Sequence, residues 1–342
     1  LAVGIGDGSV DVDGSDGILL ILGDDGAHDA VVQRIKLLSH LNVVENKRGQ
    51  DGQFVFEDEN LNKIFIRVSC IPSIGKTGES ESVVLRLLDA SRAPLELCKL
   101  GFDLLQVEVL KRICLLQNGL VLICGPTGSG KSTTLAGMID YINVHRSAHV
   151  ITIEDPIEYL HRNQMSIVSQ REVVVDTESY VAALRAALRQ SPDVILLGEM
   201  RDFETISVAM TAAETGHLLL STLHTIGAAN TINRIIDVFP ANQQHQIAVQ
   251  LSTVLHAVVS QQLVPTIDNS IVPVFEIMTV TPAIRNMIRD NKIYQIDGMI
   301  YSGTGGGMRS MDDSLKELYH EGRITRETAM TYAINPDRMR KL

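Results

Sequence analysis

The chain of 342 residues has no excess of positive charge, no paired cysteines and no long apolar run. Its 30 Lys and Arg are outnumbered by 41 Asp and Glu, for a formal net charge of -11. A broad basic stripe for a nucleic-acid backbone is therefore missing, and no nucleic acid is expected as a partner, although a local patch can hide within an acidic total. Cys70, Cys98, Cys114 and Cys124 are scattered without a CxxC pair, which argues against a zinc knuckle or a redox motif. They read as buried thiols of a reducing cytosol. No apolar stretch reaches the roughly 18 residues of a spanning helix, and no basic segment precedes an apolar one at the start. A soluble chain is expected, with membrane contact only through partners. Because the chain opens on Leu1 rather than Met, a natural start further upstream is also expected.

What is present is a 45% hydrophobic share, enough for two or three domains with real cores. Residues 1–90 read as a small α+β domain. Gly- and Asp-rich turns join short strands up to residue 30, VVQRIKLLSHLNV has helical spacing, and KIFIRVSCI and SVVLRLLD read as strands. Residues 91–101 are a linker, since Pro94 and Gly101 interrupt any long element. Residues 102–271 change texture. GLVLICG, HVITIED, DVILLGE and HLLLSTLHT are apolar runs that end in polar residues, with helical patterns such as YVAALRAALRQ between them. That alternation predicts an α/β fold with a largely parallel sheet covered on both faces and ligands at the strands' carboxyl ends. Residues 272–342 read as helical. There Thr281 is the expected N-cap, Pro282 the first helical residue, and Ile284, Met287 and Ile288 the apolar face. Arg285 and Asn286 then turn to another face, available to a partner.

The segment Gly125-Pro126-Thr127-Gly128-Ser129-Gly130-Lys131-Ser132-Thr133 fits G-x-x-x-x-G-K-[ST] between an apolar strand and a helical stretch. Its glycines let backbone N–H groups curl around phosphates, and the helix adds its N-terminal dipole. ATP with Mg²⁺ is the expected ligand, Lys131 reaching the β- and γ-phosphates and Ser132 the metal. Two strand ends supply acids: Glu199 after DVILLG, and Glu154, Asp155 and Glu158 in ITIEDPIE. Glu199 is the candidate metal carboxylate, with Glu154 a second. His217 and His224, seven apart around a leucine run, fall on opposite faces of a strand and cannot share one metal if it is continuous. His224 is expected near the γ-phosphate, whereas His217 reads as structural or interfacial.

GPTGSGKST, ITIEDPIEY, SPDVILLGEMRD and TAAETGHLLLSTLHT together resemble the Walker A, Asp box, Walker B and His box of the secretion ATPase superfamily of type IV pili and type II secretion. The resemblance implies a PAS-like N-terminal domain and a RecA-like P-loop core assembled into a homo-hexamer, with ATP at domain and subunit boundaries. It makes Glu199 and Glu158 the carboxylates that orient Mg²⁺ and water, and His224 the γ-phosphate sensor. It adds Arg67 of FIRVS and Arg86 of VLRLLD as catalytic arginines. AIRNMI and GGGMRSMDDSL resemble the pilus retraction ATPases, the PilT-like group. No cysteine follows Cys124, unlike the zinc loop common in assembly and type II secretion ATPases. The resemblance thus implies a retraction motor for twitching motility, working on an inner-membrane pilus platform protein from the cytoplasmic face. A pilus assembly or type II secretion ATPase is the alternative, and a nucleic-acid translocase a distant one.

Overall fold

Apolar alternation in β-strands and apolar stripes on helices build two units that divide between Ala93 and Pro94. The computed structural model describes residues 10–13, 18–21, 26–57, 63–75, 78–89, 96–303 and 307–340.

The first unit contains β1 (Val10–Asp13), β2 (Ile18–Ile21), α1 (Gly26–Leu38), β3 (Gln50–Glu57), β4 (Lys63–Gly75) and β5 (Gly78–Asp89). The strands form an antiparallel sheet in the order β1-β2-β5-β4-β3. Period-two alternation sends Ile66, Val68 and Cys70 of β4 and Val83 and Leu85 of β5 into one core with Val32 and Ile35 of α1. Lys36 of α1 is fully buried, and its ammonium is held by Glu81 at 2.6 Å and the Glu45 carbonyl at 2.8 Å. Strand β3 was not foreseen, because Gly52 and two glutamines dilute its alternation.

The second unit runs through α2 (Leu104–Cys114), β6 (Gly119–Cys124), α3 (Lys131–His145), β7 (His149–Glu154), β8 (Ile167–Glu172), α4 (Tyr180–Ala187), β9 (Val194–Leu197), α5 (Phe203–Glu214), β10 (Leu218–Leu223), α6 (Ala228–Asp237) and α7 (Ala241–Val254). It continues with β11 (Leu255–Pro265), β12 (Ile271–Thr279), α8 (Pro282–Arg289), α9 (Ile296–Ser302), α10 (Met311–His320), α11 (Arg326–Tyr332) and α12 (Pro336–Met339). Its sheet has the order β12-β11-β6-β10-β9-β7-β8, and every neighbouring pair except β11 and β12 is parallel. All six residues of β6 are buried, Leu120, Leu122 and Cys124 in one core and Val121 and Ile123 in the other. Helices therefore cover both faces, as the continuous apolar runs predicted.

Several expectations need correction. Residues from 272 are not all helical: Ile271–Thr279 pairs antiparallel with β11, and helix starts at Pro282. A short apolar run such as VPVFEIM does not itself separate strand from buried helix. Of the linker 91–101, Leu97 and Leu100 pack into the second unit beside Phe102, while 91–95 lie outside the described residues. Cys98 is exposed, unlike buried Cys70, Cys114 and Cys124.

Helix α8 starts as expected, with Thr281 Oγ1 accepting the Ile284 N–H and Ile284 and Ile288 buried. Arg285 is not left open to a partner. Its guanidinium donates to the Ser252 and Thr253 carbonyls at 2.5 and 2.7 Å, on the last turn of α7. Those carbonyls have no partner within their helix, and a cation suits the negative end of the dipole. Among the described residues, no helix is long and apolar enough to cross a membrane.

Candidate nucleotide site

Strand β6 stops at Cys124 and α3 begins at Lys131, so the glycine-rich loop joins a central strand to a helix N-terminus. Gly130 caps that helix with φ 85°, a left-handed conformation costly for a side chain. At Gly125 the constraint is contact, since a Cβ there would lie 2.2 Å from the Gln261 carbonyl oxygen. Lys131 folds back over the loop and donates to the Gly125 and Pro126 carbonyls at 2.9 and 2.8 Å. Burial lowers its pKa, against the opposing charges of Glu199 and Glu158. Ser129 Oγ is buried without a hydrogen-bond partner among the described residues. Ser132 and Thr133 follow on the first turn, and Thr133 Oγ1 lies 2.9 Å from the Tyr159 hydroxyl.

The neighbouring strands carry the acids to the same end of the sheet. Strand β10 lies between β6 and β9, so the residues that follow it stand between the loop and Glu199. Glu199, mostly buried, accepts from Arg201 Nε at 2.6 Å, and its other oxygen is 3.1 Å from His224 Nε2. Glu154 closes β7. Its Oε1 accepts from Thr152 Oγ1 at 2.6 Å and Gln170 Nε2 at 3.3 Å, and burial pushes its pKa up to about 7. Glu158 is exposed on the following loop, close enough for its charge to act on Lys131.

The two histidines flank β10, one at each end, rather than occupying opposite faces within it. His224 follows β10, whereas His217 precedes it and its Nδ1–H donates to the Ala212 carbonyl at 2.9 Å. That bond anchors the turn after α5. Arg67 and Arg86, in the first unit, are direct cross-strand partners of β4 and β5, on the face opposite the buried residues. Arg67 is half-buried and Arg86 exposed.

Sequence reasoning missed Gln261, Arg201 and Tyr159. Gln261 of β11 is buried beside the loop, its Nε2 donating to the Ser129 carbonyl at 2.6 Å and its Oε1 accepting from Thr134 Oγ1 at 2.9 Å. The available signal was Ser260-Gln261-Gln262, three polar residues in the middle of an apolar strand.

No group of three or more His, Cys, Asp or Glu forms a metal cage among the described residues. A Mg²⁺ bound with nucleotide at a P-loop is held largely by phosphates and water, with one hydroxyl and one carboxylate from the protein. Ser132 and Glu199 have those chemistries. The glycine-rich loop, the buried lysine folded over it, and the carboxylate and imidazole beyond the adjacent strands define a P-loop nucleotide-binding core of the RecA kind.

The chain belongs to the Type II/IV secretion system protein family, whose model matches residues 18–329. It is 48% identical over 264 residues to a twitching motility protein of Neisseria gonorrhoeae, covering 77% of this chain and 69% of the relative. It is 51% identical over 230 residues to the type IV pilus retraction ATPase PilT of Pseudomonas aeruginosa, covering 67% of each. A crystal structure of the pilus retraction motor PilT with bound ADP matches at a TM-score of 0.75 and 43% identity, over 85% of this chain and 80% of that one. The family is the one that the four ordered motifs resemble.

Proposed function

We propose that the chain is the ATP-hydrolysing subunit of a motor that retracts type IV pili. The carrying observation is the approach of His224 to Glu199, at 3.1 Å, beyond strands adjacent to the P-loop. In this reading Gly125 to Thr133 cradle the phosphates, and Lys131 exchanges two loop carbonyls for phosphate oxygens. Ser132 and Glu199 hold Mg²⁺, which supplies a dication to neutralise phosphate charge. Glu199 and Glu158 orient the attacking water, and His224 contacts the γ-phosphate. Glu154 suits the metal less well than Glu199, because burial pushes its pKa up to about 7 and so disfavours the charged form that a cation needs.

Relatives named for twitching motility and pilus retraction support the direction of force. A homo-hexamer at the cytoplasmic face of the inner membrane, acting on the pilus platform protein, completes the proposal. Arg67 and Arg86 then supply cations to the nucleotide only in the assembled ring, where such arginines add about 10³ to 10⁵ in rate.

Lys131→Ala is expected to weaken nucleotide binding. Glu199→Gln should keep binding while turnover falls by about 100-fold or more. Wild-type phosphate release by Glu199→Gln would remove Glu199 from the chemistry. Turnover per subunit should rise with protein concentration and fall in Arg86→Ala; full activity at dilutions that leave monomers would refute the ring requirement. A deletion strain with surplus pili supports retraction, whereas bald cells would favour an assembly motor.

A further inference from the structure

Two buried polar residues on neighbouring strands hold the segment that follows His224. Ser260 of β11 and Glu276 of β12 are cross-strand partners, and both are buried. Ser260 Oγ accepts the Gly227 N–H at 2.9 Å, and Glu276 Oε1 accepts the Ala228 N–H at 2.8 Å. These are the N-cap and first residue of α6, three and four residues after His224. The other oxygen of Glu276 accepts the Met311 N–H, at 3.3 Å, where α10 begins. One carboxylate therefore joins two helix N-termini, whose free N–H groups and dipoles favour a negative charge.

The C-terminal helices form a block behind this bridge. Asp312 of α10 accepts the Ile334 N–H at 2.9 Å and the Asn335 N–H at 3.2 Å, and Gln262 of β11 donates to the Tyr332 carbonyl at 3.0 Å. A carboxylate in the middle of VPVFEIMT is costly to bury, so a strand that served only to cover the core would do better with an apolar residue. Its two acceptor oxygens instead link α10 to the start of α6, next to the nucleotide site.

We propose that Glu276 is a positioning residue for the nucleotide site, the bridge through which the C-terminal helices α10 to α12 set the place of the His224 loop. The proposal rests on the assignment of His224 to the nucleotide. In Glu276→Gln one acceptor oxygen survives, enough to cap one helix but not both. The intact chain carrying this substitution should keep its KM for ATP within about twofold while kcat falls about 10- to 100-fold, the scale of a displaced catalytic geometry. Amide exchange at residues 224–230 should accelerate by at least about tenfold. Unchanged kcat, or faster exchange confined to α10, would overturn the proposal. Met311→Pro, read against Met311→Ala, gives an independent arm, because both variants lose the buried Met311 side chain while only proline, accepted at a first helical position, also deletes the N–H directed at Glu276. It too should accelerate exchange at residues 224–230, and unchanged protection there would refute the bridge. His224→Ala separates the two layers. Wild-type turnover in that variant defeats the nucleotide assignment, while the exchange of 224–230 still reports on the bridge.

Discussion

Replacing Gln261 by alanine removes both side-chain bonds that pin the P-loop to β11. The Ser129 carbonyl loses its donor at 2.6 Å and Thr134 Oγ1 its acceptor at 2.9 Å, in a place that water does not reach easily. Leaving a buried group unsatisfied costs about 1–3 kcal/mol. The threonine hydroxyl can turn back to the carbonyl of Gly130, which already accepts the Thr134 N–H, so its share is at the low end. The sum is about 2–4 kcal/mol, or a fall in melting temperature of about 4–16 °C for a unit of this size. Thermal unfolding followed by circular dichroism measures it, and ADP titration of the same protein should show weaker binding from a loop that is no longer held. Gln261→Glu sharpens the test, because it keeps an acceptor for Thr134 but opposes the Ser129 carbonyl and places a negative charge beside the phosphates. It should bind ADP more weakly than Gln261→Ala. A melting temperature within about 1 °C of wild type, with unchanged ADP affinity, would refute the reasoning.

The raised pKa of Glu154, about 7 against 4.5, means that the native chain keeps a proton that the unfolded chain has released. Stability therefore falls as pH rises through that window and levels off above it, with Glu276, also pushed up to about 7 by burial, adding the same sign. Glu154→Gln should flatten the fall, so urea midpoints of variant and wild type diverge from pH 5 to pH 8, and parallel curves would contradict it. Arg285→Ala should lower stability by about 1–2 kcal/mol through loss of two charged bonds to the end of α7, seen as a lower urea midpoint. An unchanged midpoint would return Arg285 to the role of a free contact residue.

The features legible in the sequence are those whose physics is local. The P-loop is a matter of glycine, lysine and serine spacing within nine residues. Glu199 and Glu154 stand out because apolar strands stop just before them. The seven-residue separation of His217 and His224, longer than the six residues of β10, puts them at its opposite ends. Gln261 was hidden because its partner Ser129 lies 132 residues away, and only the register of β11 against β6 brings them together. Arg285 misled for the same reason, its acceptors being 33 and 32 residues earlier on another helix. Strand β12 was misread because its partner β11, and not its own composition, decides that Ile271–Thr279 is extended. The pairing of Arg67 with Arg86 across β4 and β5 was within reach, since both lie in strands joined by a hairpin, but its register depends on the turn.

The lone exposed thiol offers a handle for watching this molecule work. Cys70 and Cys114 are buried with raised pKa values, and burial pushes that of Cys124 to about 11, so none presents an accessible thiolate at neutral pH. Cys98 sits in the open on the short turn Leu97–Lys99, just past the division between the two units. A maleimide dye will therefore attach once to the native chain without any cysteine being removed. Paired with an acceptor fluorophore introduced in the first unit, it tests through energy transfer whether nucleotide binding moves the two units relative to each other.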